Sequence, residues 1–368
     1  MSPFFALPFL HARLLASGFR LLSSSSNAIL IIVPRLLLTL LLASLTQAAI
    51  TQEFIYTDAP FPSAHASTIV ELKNGDLLSA WFGGSAEGKP DVAIWSSRRT
   101  NGQWTAPIEL VREPNIASYN PVFFHSADGK LWLYYKFGPH PSSWSAGRRF
   151  STDEGLTWSP VEHLPAGIYG PIRAKPLMLN DGTIVSGSSV ESYHSWALWI
   201  ERSADNAQTW TRIGPIVAPP NADATGTYGL IQPSVVQLKN GTLRLYARST
   251  EQIAKICVAD STDGGLHWSA VHTLDLPNPN SGLDAVALRD GRVVVIFNNT
   301  TKGRTPLNLA VSTDGEHFRI FQTLEGEPGE YSYPSMIQSS NGDLYATYTW
   351  NRKRIRYTRI PLADIPAN

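Results

Sequence analysis

The sequence predicts an all-β chain, a six-bladed β-propeller, and it does so through two internal repeats and a strand-like segment at either end. The first repeat, S-x-D-x-G-x-x-W, returns in five versions whose closing aromatics, Trp104, Trp158, Trp210, Trp268 and Phe318, lie roughly 50 to 60 residues apart. The second is an apolar alternating segment, an Asn-Gly or Asp-Gly pair and another such segment, and it occurs six times. A fixed period of this length marks an array of one supersecondary unit, and six hairpins count six units.

The elements follow in order. Gln52 to Tyr56 (QEFIY) and Ile355 to Ile360 (IRYTRI) read as strands that share one blade and close the ring. Between them run the six hairpins, with turn glycines Gly75, Gly129, Gly182, Gly241, Gly291 and Gly342. Asn-Gly and Asp-Gly suit a type I′ turn, which needs positive φ at both central residues. Two further strands per period, ending at the Ser-Asp-Gly-Trp box, make a four-stranded sheet, and radial repetition of such sheets leaves only short edges. In the boxes STDEGLTW from Ser151 and STDGGLHW from Ser261 the pattern is complete. SADNAQTW from Ser203 has Ala207 in the second Gly place, STDGEHF from Ser312 is one residue short, and SRRTNGQW from Ser97 keeps little beyond its Ser and Trp. Short polar side chains bonding nearby N–H groups, a Gly at positive φ and a packing aromatic make a hairpin staple, so the boxes locate the fold and not the chemistry. No helix is expected, and Pro219 to Thr227 reads as a loop over one face.

At 368 residues, 43% hydrophobic and 16% charged, the chain can bury a large core. Its formal charge of zero and lack of a basic stripe exclude a nucleic-acid partner. Cys257 is the only cysteine, so no intrachain disulfide and no thiolate metal site is expected; between Ile256 and Val258 it reads as a buried, inert strand residue. The histidines fall in no metal-ligand spacing, and neither a metal nor an organic cofactor is implied. Arg13, Arg20 and Arg35 precede an apolar run, Leu36 to Leu45, that ends in Thr46-Gln47-Ala48-Ala49. Basic flank, short apolar run and small residues at a cut site read as an export leader over residues 1–49, with one domain over 50–368 and a secreted or periplasmic product. An uncleaved leader serving as a membrane anchor is the second choice; after processing no stable span is expected.

Aligned on their turns, the hairpins place His65 or Ala66, Asn120, Lys175, Gln232, Asp284 and Tyr333 at matching starts, so these polar groups are expected to share one funnel. The boxes, the six units, and the segments LYARS, GRTPLNLAVSTDG and EYSYPSMIQ make the chain resemble the BNR/Asp-box sialidase (neuraminidase) superfamily over nearly all of residues 52 to 360. The resemblance implies an exo-sialidase type of glycoside hydrolysis, with arginines gripping a substrate carboxylate and a tyrosine nucleophile. It carries Arg248 and Arg304 into the arginine set, Tyr331 into the nucleophile's place with Tyr333 as the choice if the register slips by two, and Glu87 or Asp91 into the acid/base role. Two departures stand out: the family's first arginine is missing from HAST, where His65 stands near its place, and Gln232 occupies the position of the carboxylate that activates the nucleophile. A neutral amide cannot take the tyrosine's proton. The expected partner is therefore a glycan or other anionic sugar. A lyase acting on uronic-acid-containing glycans and a non-catalytic carbohydrate-binding propeller are the alternatives.

Overall fold

In the computed structural model, which describes residues 49–367, strands carry every repeat and no α-helix occurs among those residues. The chain opens on β1 (Thr51–Phe54) and then folds into six antiparallel meanders. The first is β2 (Ser63–Glu71), β3 (Leu77–Gly84) and β4 (Ala93–Thr100), with β5 (Gln103–Trp104) and β6 (Ile108–Val111) both against β4. The second is β7 (Ser118–His125), β8 (Leu131–Phe137), β9 (Ser145–Ser151) and β10 (Glu162–His163). The third is β11 (Leu177–Met178), β12 (Ile184–Glu191), β13 (Ser195–Ser203) and β14 (Thr211–Ile216), and the fourth β15 (Tyr228–Gln237), β16 (Leu243–Ser249), β17 (Lys255–Ser261) and β18 (His272–Pro277). The fifth is β19 (Asp284–Ala287), β20 (Val293–Asn298), β21 (Leu307–Ser312) and β22 (Arg319–Glu325). The sixth, β23 (Tyr331–Gln338), β24 (Leu344–Trp350) and β25 (Arg354–Ile360), takes its fourth strand from the chain start, with Thr51 opposite Arg359 and Phe54 opposite Arg356. A short parallel pairing of β13 with β15 joins the third and fourth. The leader reading falls on residues outside those described, apart from Ala49.

The meanders stack through apolar faces, so central strands are buried on both sides and read as continuous apolar runs. Val70, Leu78 and Ala80 of the first meander meet Phe123, Leu131 and Leu133 of the second, and Val294, Ile296 and Leu309 of the fifth meet Met336, Leu344 and Tyr348 of the sixth. Cys257 is buried on β17, and that burial pushes its thiol up to about 12. Strand β2 packs beside β7 and β23, β15 beside β12 and β19, and β19 beside β23, which sets neighbouring meanders side by side along these strands.

The hairpin turns differ from the type I′ geometry expected of them. In all six the glycine alone is left-handed, as at Gly75 with φ +84°. Leu72 N–H donates to Asp76 C=O and Gly75 N–H to Leu72 C=O, a three-residue loop with the glycine at the bulge. The preceding Asn or Asp stays out of the left-handed region because its side chain has other work: Asn74, Asp181, Asn240, Asp290 and Asn341 each accept the N–H two residues on. The boxes do form staples. Ser261 Oγ donates to Asp263 and accepts the Gly265 N–H, while the His267 N–H and ring hold the Asp263 carboxyl far below the usual carboxylate range. Ser261 sits opposite Leu243, five residues before Arg248 on the same strand, so the boxes lie about 17 Å from the opposite strand ends.

Those opposite ends share an irregularity. Pairing slips between His65 and Thr68, Tyr119 and Val122, Ile231 and Ser234, and Ser332 and Ser335. At each slip one non-glycine residue is left-handed: Ala66 (φ 55°), Asn120 (φ 41°), Gln232 (φ 56°) and Tyr333 (φ 52°). Strained residues at equivalent bulges re-aim side chains and gather at functional sites. Each stands five residues before the last pair of its hairpin, and the same count in the third and fifth meanders lands on Arg173 and Gly282, not on Lys175 and Asp284. The turn-based alignment was thus out of step by two in those meanders.

Candidate active site

The bulged ends open into a cavity of about 420 Å³ lined by Asn120, Gln232, Arg248, Arg304, Tyr333 and Arg352 on its floor and by Glu87 and Glu191 on its flanks. A wall of loop residues rises on one side, His140 to Ser142 and Trp144 from the β8–β9 connection and Ser192, Tyr193 and Trp196 from the β12–β13 hairpin. The volume lies within the range of about 300–1,000 Å³ usual for small-molecule sites.

Tyr333 is the centre of this floor. Its hydroxyl accepts from Arg248 Nη1 at 2.5 Å and from Gln232 Nε2 at 3.3 Å, and Gln232 Oε1 in turn accepts from Arg248 Nη1 at 3.2 Å. A guanidinium can only donate, so Gln232 must turn its oxygen to Arg248 and its amide hydrogens to the phenol. Both bonds therefore run toward the tyrosine oxygen and strengthen as negative charge gathers there. Neither neighbour is a base.

Arginine supplies the charge. Arg248 Nε is fixed by Asn280 Oδ1 at 2.8 Å, and the guanidiniums of Arg248 and Arg304 lie 5.7 and 5.5 Å from the Tyr333 ring centre. Glu330 accepts from both Arg304 and Arg352 at 2.8 Å, and Arg352 also pairs with Glu87. Burial lowers Arg304 from the ordinary guanidinium value and Arg248 and Arg352 add to that, against the pull of Tyr333 and Glu330. Arg352, by contrast, is raised, because its burial is outweighed by Glu87 and Glu330, so Arg304 is the less matched of the two guanidiniums that share Glu330.

Two of these arginines escaped the sequence reading. Arg352 lies in the β24–β25 turn, left-handed like its neighbour Asn351, and its carbonyl accepts the Ala64 N–H. It thus emerges beside the start of β2, where the first arginine of the resembled family is missing. Arg173, 3% exposed, reaches from the third meander to the carbonyls of Leu283 and Pro334 in the fifth and sixth, with its guanidinium 5.2 Å from the Tyr333 ring centre. Only the equivalence of the bulges, visible once register is known, could have singled it out.

Other expected residues fall elsewhere. Tyr331 packs among Ile296, Leu307 and Met336 in the core, because the bulge after Ser332 breaks the alternation that would put it on the face of Tyr333. Asp91 holds Ser85 through its N–H and hydroxyl on an exposed loop outside the cavity, while Glu87 lines it. Lys175 and Asp284 pair with each other at 3.0 Å away from the cavity, and Asp284 also accepts from Ser234 Oγ and Met336 N–H, tying meanders together. His65 is buried beneath the floor, its ring centre 4.2 Å from that of Tyr333 and its Nδ1 2.9 Å from Thr349 Oγ1. Burial, then the charges of Arg352, Arg304, Arg173 and Arg248, push the His65 imidazole well below its ordinary value and keep it neutral.

Residues 75–346 match the BNR repeat-like domain family, well over half of the chain. The chain belongs to that family. Solved structures place its fold with the sialidases. A protein of unknown function from Dyadobacter fermentans is 17% identical, with a TM-score of 0.71 over 85% of this chain and 100% of its own. The NanB sialidase of Streptococcus pneumoniae is 14% identical, with a TM-score of 0.68 over 85% of this chain and 71% of that one. The leech intramolecular trans-sialidase is 12% identical, with a TM-score of 0.67 over 85% and 70% of the two chains. No curated protein sequence matches. At these identities the BNR repeat-like chain shares the sialidase fold, and its chemistry must be argued from its own residues.

Proposed function

We propose that the six meanders are the blades of a six-bladed propeller and that the cavity at one end of it hydrolyses a glycoside of a carboxylated sugar, in the manner of an exo-sialidase. One observation carries this reading: Arg248, Arg304 and Arg352, from three separate parts of the chain, line a single cavity with Tyr333. Planar guanidiniums suit a carboxylate, and a phenol oxygen attacks beside an anionic sugar without the repulsion a carboxylate nucleophile would meet. Tyr333 Oη forms the bond to the anomeric carbon as that carbon's bond to the glycosidic oxygen breaks and the pair leaves with the oxygen; the tyrosine's proton passes to solvent water because Gln232 cannot accept it. Two of the solved structures similar to it, a sialidase and a trans-sialidase, support the choice of sugar class. The leader reading makes the enzyme an exported one, which sequencing the N-terminus of the exported product tests.

Gln232 also favours a second reading, β-elimination from a uronate, in which Tyr333 would take the proton next to the carboxylate. Release of 4-methylumbelliferone from a sialoside supports hydrolysis. New ultraviolet absorbance from an unsaturated uronate, with the sialoside untouched, supports elimination; glycan binding without turnover of either leaves a carbohydrate-binding role alone.

A further inference from the structure

Glu191 ends β12, faces Trp196 across the hairpin and lines the cavity. Unlike the other carboxylates in or near the floor, it has no hydrogen bond and no ion pair among the described residues. Glu87 is held by Arg352, and Glu330 by Arg304 and Arg352. Among the arginines of the cavity, Arg248 is the one whose charge reaches the Glu191 carboxyl, and it does so without an ion pair. Burial raises its pKa above the ordinary carboxyl value, Arg248 opposes the rise and Glu87 adds to it.

Its place is as telling as its isolation. On one side lies the arginine and tyrosine floor, where the carboxylated sugar would sit. On the other rises the aromatic wall of its own hairpin, Tyr193, 84% exposed, and Trp196, whose ring centre is 5.7 Å from the Arg248 guanidinium. Glu191 and Trp196 are cross-strand partners at the mouth of that hairpin and line the same cavity as Tyr333, so a sugar stacked on the wall and one held on the floor would both be within the cavity that Glu191 lines.

We infer that Glu191 is the acid/base of this site and that the Ser192–Trp196 hairpin receives the departing sugar. The assignment rests on the glycosidase reading. The Glu191 carboxyl gives its proton to the glycosidic oxygen as the bond from that oxygen to the anomeric carbon breaks, and the bonding pair leaves with the oxygen. The resulting carboxylate then takes a proton from the water that displaces Tyr333 from the anomeric carbon, and the phenolate recovers its proton from solvent. Acid and base are one group, restored at the end of the cycle.

The test compares Glu191→Gln and wild type on two substrates of the same carboxylated sugar, one with 4-methylumbelliferone as leaving group and one joined to a second sugar. Protonation matters little when the leaving group is an acidic phenol. The expected result is a loss in kcat/KM, which reports the steps up to departure of the leaving group, of about 10²- to 10⁴-fold on the sugar-linked substrate and of no more than about tenfold on the aryl one, with disappearance of the basic limb of the kcat/KM pH profile. Equal losses in kcat/KM on both substrates, or a basic limb unchanged in the variant, overturns the assignment and leaves the glycosidase standing. A wild-type enzyme that cleaves neither substrate removes the glycosidase reading and Glu191's role with it. Circular dichroism melting of Glu191→Gln within a few degrees of wild type separates either result from loss of the fold.

Discussion

Replacing Tyr333 and Tyr331 one at a time by phenylalanine separates the two registers of β23. The Tyr333 hydroxyl accepts one charge-assisted bond from Arg248 and one longer bond from Gln232. Removing it takes away both, but Arg248 keeps Asn280 and Gln232, so no charged group loses its last partner. The expected stability loss is about 1–3 kcal/mol, a fall in Tm of a few degrees for a domain of this size. Turnover of a fluorogenic sialoside is expected to fall on the order of 10⁴-fold or more, the scale of nucleophile removal. The Tyr331 ring is buried but its hydroxyl makes no hydrogen bond among the described residues and lies beside the exposed Gly329. Its loss is expected to change stability by no more than about 0.5 kcal/mol and turnover within error. The reverse pattern, Tyr331→Phe inactive and Tyr333→Phe active, would refute the placement of the site on the bulge.

Arg304→Ala and Arg352→Ala should each raise KM about 10- to 100-fold for a carboxylated substrate, read from initial rates, with a much smaller effect on a neutral ester analogue. The boxes should make stability acid-sensitive. Asp153 and Asp263, held below the ordinary carboxylate value by Thr157 and His267, contribute stability that is complete above the unfolded pKa near 4 and lost as pH falls through their folded values. Melting curves should be level from neutral pH to about 5 and drop below it, and Asp153→Asn with Asp263→Asn should flatten the drop. Cys257, with its thiol raised by burial, should resist a thiol reagent until the protein unfolds, as followed by mass spectrometry.

Much of this architecture is legible in the residues. Asn-Gly and Asp-Gly turns and the Ser-Asp-Gly-Trp boxes are local devices whose side chains bond within four residues, so their sequence announces their structure. Arg248 and Arg304 were visible because they sit in recognisable segments. The bulges were not, since a two-residue slip costs no composition: Tyr333 and Tyr331 differ only by a break in alternation, and Lys175 and Asp284 were drawn to the rim by counting from the wrong residue. Arg352 and Arg173 are placed by contacts with Ala64 and Pro334, each 150 or more residues away along the chain. Only register and closure bring those together. The turn type was missed for a related reason, because an Asn side chain that caps its own loop needs no left-handed backbone.

The account stands on the cavity's demand for an anion. Calorimetric titration with sialic acid, and with its methyl ester, at low and high salt measures that demand directly. Binding of the acid that weakens with salt and is lost in Arg304→Ala, with the ester bound at least about tenfold more weakly, is the predicted result. Equal binding of acid and ester, or binding of the acid untouched by Arg304→Ala, would contradict it.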